Sequence, residues 1–226
     1  EVETVVRSIA SKIIGNKIKS IHVFWDKTLA THSQNSINAT LKNNKIQSVS
    51  RRGKYIILKL DSNYLVIHLR MTGKLIFLNQ NQNSKLTHLR FNIIFKDNST
   101  LNFTDIRKFG RIELRNNLGF LEKKLGPEPM SKNLSIEYLR QKLKSRTGSI
   151  KSSLLNQSII AGLGNIYTDE ILWEVNIHPE RPANELNNDL LGKLILASKK
   201  IIFNAIEAMG TTIINFSFDR GSKGQY

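Results

Sequence analysis

Apolar residues in the first fourteen positions recur at helical intervals. Val2, Val5, Val6, Ile9 and Ile13 share one face, and Gly15 supplies a stop. The period then changes. Short β-branched and aromatic segments at 18–25, 46–52, 55–60, 64–69, 74–78, 89–95, 100–104 and 111–114 predict eight strands. Turn signals such as Arg52-Gly53, Asp61-Ser62-Asn63 and Asp97-Asn98-Ser99 separate them. This spacing predicts a mostly antiparallel sandwich or barrel. Gly126-Pro127-Glu128-Pro129 then punctuates the chain, and helical periodicity returns at 135–145, 150–156, 166–175 and 188–209. The expected fold class is α+β: an N-terminal antiparallel β-sandwich flanked by helices over 1–115, a linker over 116–132, and an all-helical domain over 133–226.

Charge narrows the range of partners. The chain carries 34 Lys and Arg against 18 Asp and Glu, a net +16 with His neutral, which favours a polyanion. Its 40% hydrophobic content can bury a core, which excludes wholesale disorder. With no Cys, there is no disulfide scaffold, no thiolate nucleophile and no Cys-ligated metal in these 226 residues. No HExxH, Walker A loop or carboxylate cluster at metal spacing occurs, so metal-dependent nuclease and ATPase chemistry finds no support. No apolar run reaches membrane length and no signal-peptide layout opens the chain, so a cytoplasmic protein without a membrane partner is expected.

Residues 148–179, GSIKSSLLNQSIIAGLGNIYTDEILWEVNIHP, carry the most information. A short helix ends near Asn156, two turns run through Gly162-Leu163-Gly164, and Asn165 opens the next helix. Glycines there allow close backbone approach to a phosphate, and a helix N-terminus offers free N–H groups and a favourable dipole. On physics alone, an ordinary helical hairpin explains the pattern equally well.

The stretch closely resembles the helix–two-turns–helix motif of the formamidopyrimidine-DNA glycosylase family, including its Gly-x-Gly-Asn-Ile-Tyr core. Further similarities follow in family order: Glu1-Val2-Glu3-Thr4-Val5, Arg51-Arg52-Gly53-Lys54-Tyr55, His68-Leu69-Arg70-Met71-Thr72-Gly73, Asp105-Ile106-Arg107-Lys108-Phe109-Gly110, Leu125-Gly126-Pro127-Glu128-Pro129 and Gly210-Thr211-Thr212. The family pattern also has a Pro-Glu-Leu-Pro segment before the first of these, whose amino-terminal proline is the nucleophile, and a four-cysteine zinc finger after the last. Neither occurs in this sequence, and truncation at both ends is the expected reason.

The resemblance implies a bifunctional glycosylase and AP lyase that acts as a monomer on damaged double-stranded DNA. It would excise oxidised purines such as 8-oxoguanine and formamidopyrimidines, then nick the strand by β- and δ-elimination through a Schiff base. Base flipping must precede that chemistry, because C1′ is inaccessible in the stack. No cofactor is expected in this chain; a structural zinc would belong to the finger. Glu1, Lys54 and Glu170 form the implied catalytic set. The implied DNA-binding set is Lys54, His68, Met71, His88, Arg107, Phe109, Lys151, Asn165, Tyr167, Thr211, Thr212 and Tyr226.

Met71 would fill the vacated space, Arg107 would face the orphaned cytosine and Phe109 would enter between base pairs. Residues 219–226 would form a mobile loop over the extruded base. Plainer readings stand beside these. Met71 and Phe109 could be core residues, Asn165 a helix cap, Glu1 a first-turn acid, Glu170 an exposed helix residue, and 219–226 a frayed end. An endonuclease-VIII-like enzyme for oxidised pyrimidines and a non-catalytic nucleic-acid binder remain as alternatives. The expectation for these 226 residues alone is little or no glycosylase activity.

Overall fold

A computed structural model of the chain describes residues 1–82 and 85–210. They divide into two compact units, one made of Glu1–Leu118 with the segment from Ala208, the other of Gly119–Glu207. The sequence pattern places everything from 133 to 226 in the helical part. The structure instead returns the chain to the first unit at Ala208.

In the first unit, α1 (Val2–Ile13) buries Thr4, Val5, Val6, Ile9 and Ile13, the face its apolar spacing defines. Gly15, at φ +92°, turns the chain into β1 (Ile18–Val23). A 3₁₀ turn at Asp26–Thr28 and α2 (Gln34–Leu41) follow. The pattern missed α2, which presents only Ile37 and Leu41 to the core and relies on a Ser33 cap that accepts the Ser36 N–H. The remaining strands are β2 (Ser48–Arg52), β3 (Tyr55–Lys59), β4 (Tyr64–His68), β5 (Gly73–Leu78), β6 (Leu89–Phe95), β7 (Thr100–Asp105) and β8 (Arg111–Arg115).

They form two antiparallel four-stranded sheets, ordered β1-β6-β7-β5 and β2-β3-β4-β8. Ile56, Leu58, Leu65, Ile67 and Ile112 from one sheet share a single buried cluster with Ile21, Phe91, Ile93, Phe95, Leu101 and Phe103 from the other, and α1 packs into it. Each such side chain contributes about 1.5–3 kcal/mol by leaving water. Of the three connections that pass from one sheet to the other, the two short ones run from β4 to β5 through 69–72 and from β7 to β8 through 106–110. Because β5 pairs with β7 and β4 with β8, both crossovers leave the sheets at one end and run side by side.

The second unit contains α3 (Gly119–Lys124), α4 (Ile136–Leu143), α5 (Ile150–Leu155), α6 (Asn165–Glu174), a 3₁₀ turn at Ala183–Glu185 and α7 (Asn188–Glu207). Helices of six to ten residues are marginal in isolation. Here α4 and α6 lie against the 20-residue α7, and Leu139, Leu143, Leu154, Ile160, Leu163, Ile171 and Leu194 close a second core. Ser135 and Ser149 cap α4 and α5 by accepting backbone N–H groups two or three residues into each helix.

Phe95 is fully buried and remote from both crossovers. Phe95→Ala is expected to lower unfolding free energy by about 3–5 kcal/mol, read from urea denaturation.

Candidate nucleic-acid interface

The first crossover leaves β4 at His68, whose ring stands edge-on to Tyr55 with centroids 4.6 Å apart. His68 Nδ1 accepts the Arg70 N–H at 3.1 Å, and Gly73 N–H returns to the Leu69 carbonyl at 3.1 Å. Arg70 adopts φ +57° to close this turn. The tight return pushes Met71 outward, 66% exposed.

The second crossover is built around Asp105, which is 1% exposed. Its carboxylate accepts the Thr72 hydroxyl, the Arg107 N–H (3.2 Å) and the Gly110 N–H (2.8 Å). The Asp105 carbonyl accepts Arg90 Nε at 2.9 Å, and its N–H donates to the His88 carbonyl at 3.0 Å. Arg111 braces the other side, donating to the carbonyls of Lys108 (3.1 Å) and Gly110 (2.8 Å). Lys108, at φ +61°, places its ammonium 4.2 Å from the centre of the Trp25 ring. His88 likewise sits at φ +58°. Held this way, the crossover exposes Ile106, Arg107 and Phe109. The Arg107 guanidinium lies 4.7 Å from the Phe109 ring centre, and its Nη1 comes within 3.1 Å of Met71 Sδ.

A polar cluster joins α1 to the β2–β3 turn. Glu3 accepts Arg51 Nε at 3.0 Å and Arg7 Nε at 3.1 Å, and Arg51 also donates to the Gly53 carbonyl at 2.9 Å. Burial opposes the Glu3 charge, but the hydrogen bonds from Arg51 and Arg7 outweigh it and hold the carboxyl below its ordinary 4.5. In the turn, burial lowers the Lys54 amine below 10.5; nearby Glu1 works against this and Arg70 adds to it. Burial also lowers the α-amine of Glu1 below 8.0. Gly210, at φ +87°, lies against Glu1 so closely that an added Cβ would stand 3.3 Å from the Glu1 Cγ.

In the second unit, α5 and α6 are joined by turns organised by Gln157. Its Nε2 donates to the carbonyls of Leu155 and Leu163, each at 2.9 Å, and its Oε1 accepts the Gly162 N–H at 2.9 Å. Gly162 needs its freedom, at φ +97°. Gly164 is the N-cap of α6; no side chain caps this end and no acidic residue sits in its first turn. The result is a helix N-terminus open to an anion. Lys151 on α5 pairs with Asp169 on α6 at 2.7 Å.

Comparison with known proteins decides what these features belong to. The formamidopyrimidine-DNA glycosylase N-terminal domain matches residues 1–112, and the H2TH domain of the same glycosylases matches 125–217. A formamidopyrimidine-DNA glycosylase from Protochlamydia amoebophila is 40% identical, spanning all of this chain and 84% of that protein. The one from Herpetosiphon aurantiacus is 38% identical with the same coverage. The chain belongs to the formamidopyrimidine-DNA glycosylase family. A crystal structure of a Lactococcus lactis Fpg variant with Fapy-dG-containing DNA superposes with a TM-score of 0.91 at 36% identity, covering all of this chain and 83% of that one. A Lactococcus lactis Fpg complex with abasic-site DNA gives a TM-score of 0.89, also at 36% identity and with the same coverage.

Within this glycosylase fold, Arg107 touches both Met71 and Phe109, and Lys54 lies within electrostatic reach of Glu1. Their exposure rules out the core reading of Met71 and Phe109. His68 ends β4, where the first crossover departs, and His88 immediately precedes β6, with its carbonyl accepting the Asp105 N–H. Two expectations are corrected. Tyr167 is a core residue, 7% exposed beside Ile171 and Leu172, rather than a surface contact. Asn165 is the first helical residue, exposed, and the cap is Gly164. Glu170 is exposed on α6. Thr211, Thr212, Tyr226 and the loop at 219–226 lie outside the described residues.

Sequence reasoning missed Asp105, Thr72, Arg111, Trp25 and the Glu3–Arg51 pair as parts of this surface. The first two stand inside motifs already quoted, where a short polar residue beside a glycine is the usual sign of a side chain holding a turn. Among the described residues, no group of three or more His, Cys, Asp or Glu could hold a metal, and no helix is long and apolar enough to cross a membrane. With no Cys, these 226 residues cannot supply a four-cysteine zinc site.

Glu3 has a folded pKa below its unfolded value, so its contribution is present above about 4.5 and is lost as pH falls through the folded value. Glu3→Gln is expected to flatten the decline of melting temperature between about pH 5 and pH 3.

Proposed function

We propose that this protein excises oxidised purines, 8-oxoguanine and formamidopyrimidines, from duplex DNA and then nicks the strand at the resulting abasic site. The observation that carries this reading is the exposed Met71–Arg107–Phe109 contact on two adjacent crossovers. An extruded nucleotide leaves a gap and an orphaned partner, and unstacking costs a few kcal/mol per step. A flexible thioether fills the gap, and a phenyl ring wedges between base pairs. A guanidinium, a donor-only fork, suits the acceptor atoms on the pairing edge of cytosine.

After extrusion an amine attacks C1′, the base departs, and the Schiff base loses a proton on the way to strand cleavage. The family's attacking amine belongs to the Pro-Glu-Leu-Pro segment, absent from this sequence. Lys54 is suited to moving a proton beside that centre, because burial lowers its pKa and so favours the neutral amine more than in water. His68, His88, Asn165 and the open end of α6 take phosphates, and Lys151 joins them by exchanging Asp169 for a phosphate, a partly exposed pairing that is worth little. Glu1 and Glu170 serve as secondary acids. The setting is the DNA of a bacterial nucleoid, where a charge of +16 favours association. A structural zinc is proposed only for a finger outside these residues.

Borohydride trapping on an 8-oxoguanine:cytosine duplex tests the reading, comparing this chain with a version carrying Pro-Glu-Leu-Pro before Glu1. The expected result is a covalent adduct with the extended chain alone. Lys54→Ala in that extended chain should slow cleavage of a preformed abasic site by about 100-fold. Equal affinity for lesion and intact duplexes, with no adduct from either chain, would replace the enzyme with a general nucleic-acid binder. Trapping on oxidised pyrimidines in preference to 8-oxoguanine would move it to the endonuclease-VIII-like branch.

A further inference from the structure

The gap-filling residue and the residue facing the orphaned base sit on different crossovers, Met71 between β4 and β5, Arg107 between β7 and β8. Both must arrive together, since a filled gap without a read partner, or the reverse, recognises no lesion. The ladder between β5 and β7 reaches its end at the Gly73–Asp105 pair. Beyond that pair, one hydroxyl ties the backbone of the second turn to the first. Thr72 Oγ1 donates to the Asp105 carboxylate and accepts the Arg107 N–H at 3.1 Å, while the same carboxylate holds the Gly110 N–H at 2.8 Å. The residue after Met71 is thereby bonded to the backbone of Arg107. Thr72 is only partly exposed and Asp105 is buried, so water is a poor substitute for the link.

We propose that Thr72, through Asp105, is the positioning residue that couples Met71 to Arg107, and so sets the preference for cytosine opposite the lesion. This rests on the proposed roles of Met71 and Arg107. Neither Thr72 nor Asp105 touches DNA in this account; they act through the residues they hold. Valine at 72 keeps the shape but turns a methyl toward a carboxylate and an N–H, whereas serine keeps the hydroxyl.

The test uses the chain as it stands and needs no catalysis. Gel-shift affinities are measured at one salt concentration for duplexes carrying a tetrahydrofuran abasic analogue opposite cytosine or opposite adenine, and for an intact duplex. Thr72→Val should reduce the cytosine-over-adenine preference about tenfold, the size expected when one such bond is left unmade. Affinity for the intact duplex should stay within about twofold, because phosphate contacts carry it. Thr72→Ser should retain the full preference. Thr72→Ala is measured beside Thr72→Val, so that whichever variant melts cooperatively decides the matter. Arg107→Ala separates the two levels. If it abolishes the preference while Thr72→Val and Thr72→Ala leave it intact, the coupling is overturned and the role of Arg107 stands. If Arg107→Ala leaves the preference unchanged, the reading on which the coupling rests falls with it. Loss of preference in a well-folded Thr72→Ser would also overturn the proposal, since the hydroxyl would then be irrelevant.

Discussion

A carboxyl group taken out of water must find donors inside the protein, and Asp105 finds three, a hydroxyl and two backbone N–H groups. Its own peptide groups are tied to His88 and Arg90. Five partners, from the two crossovers and the start of β6, therefore meet on one buried residue. The requirement for satisfaction is what fixes those turns relative to one another, because any displacement strands a polar group without solvent. Phe103 lies beneath this node. Its ring would come within about 3 Å of a Cβ added at either Gly73 or Gly110, so both crossovers are pressed onto the same aromatic floor. The surface that bears Met71, Arg107 and Phe109 is thus rigid below and exposed above.

The sheet was largely legible in the sequence, because β-branched and aromatic runs between turn signals specify strands directly. The order of strands was not. Nothing local announces that β5 joins β7 in one sheet while β4 joins β8 in the other, and that arrangement is what brings residues 72 and 105 together. The α2 helix is not legible because its eight residues bury only two apolar side chains and have little intrinsic propensity. The exposed tips were legible because they sit in compact motifs. Asp105 was not, since its role lies in donors from a residue 33 positions away in one case and two and five in the others.

Tyr167 shows the opposite error. It was drawn into the contact set by its neighbours in Gly-Asn-Ile-Tyr, although helical spacing puts it one turn from Ile171 on the inward face. Periodicity, applied within the motif, would have separated Asn165 from Tyr167. The two units also differ in how they present themselves to an anion. The helical unit offers backbone N–H groups at an uncapped helix end, whereas the sheet unit offers side chains on turns held from beneath.

Arg70, His88 and Lys108 all occupy the left-handed region of backbone space, although each carries a full side chain. Such positions cost of order 1–3 kcal/mol apiece and persist only where the surroundings insist on them. Glycine would relieve the backbone at each, and would at the same stroke remove two permanent cations and an imidazole from the turns nearest the wedge. Backbone ease and the side chains carried beside the wedge are thereby set in opposition at the same three positions, so added stability comes at less cost elsewhere in the fold.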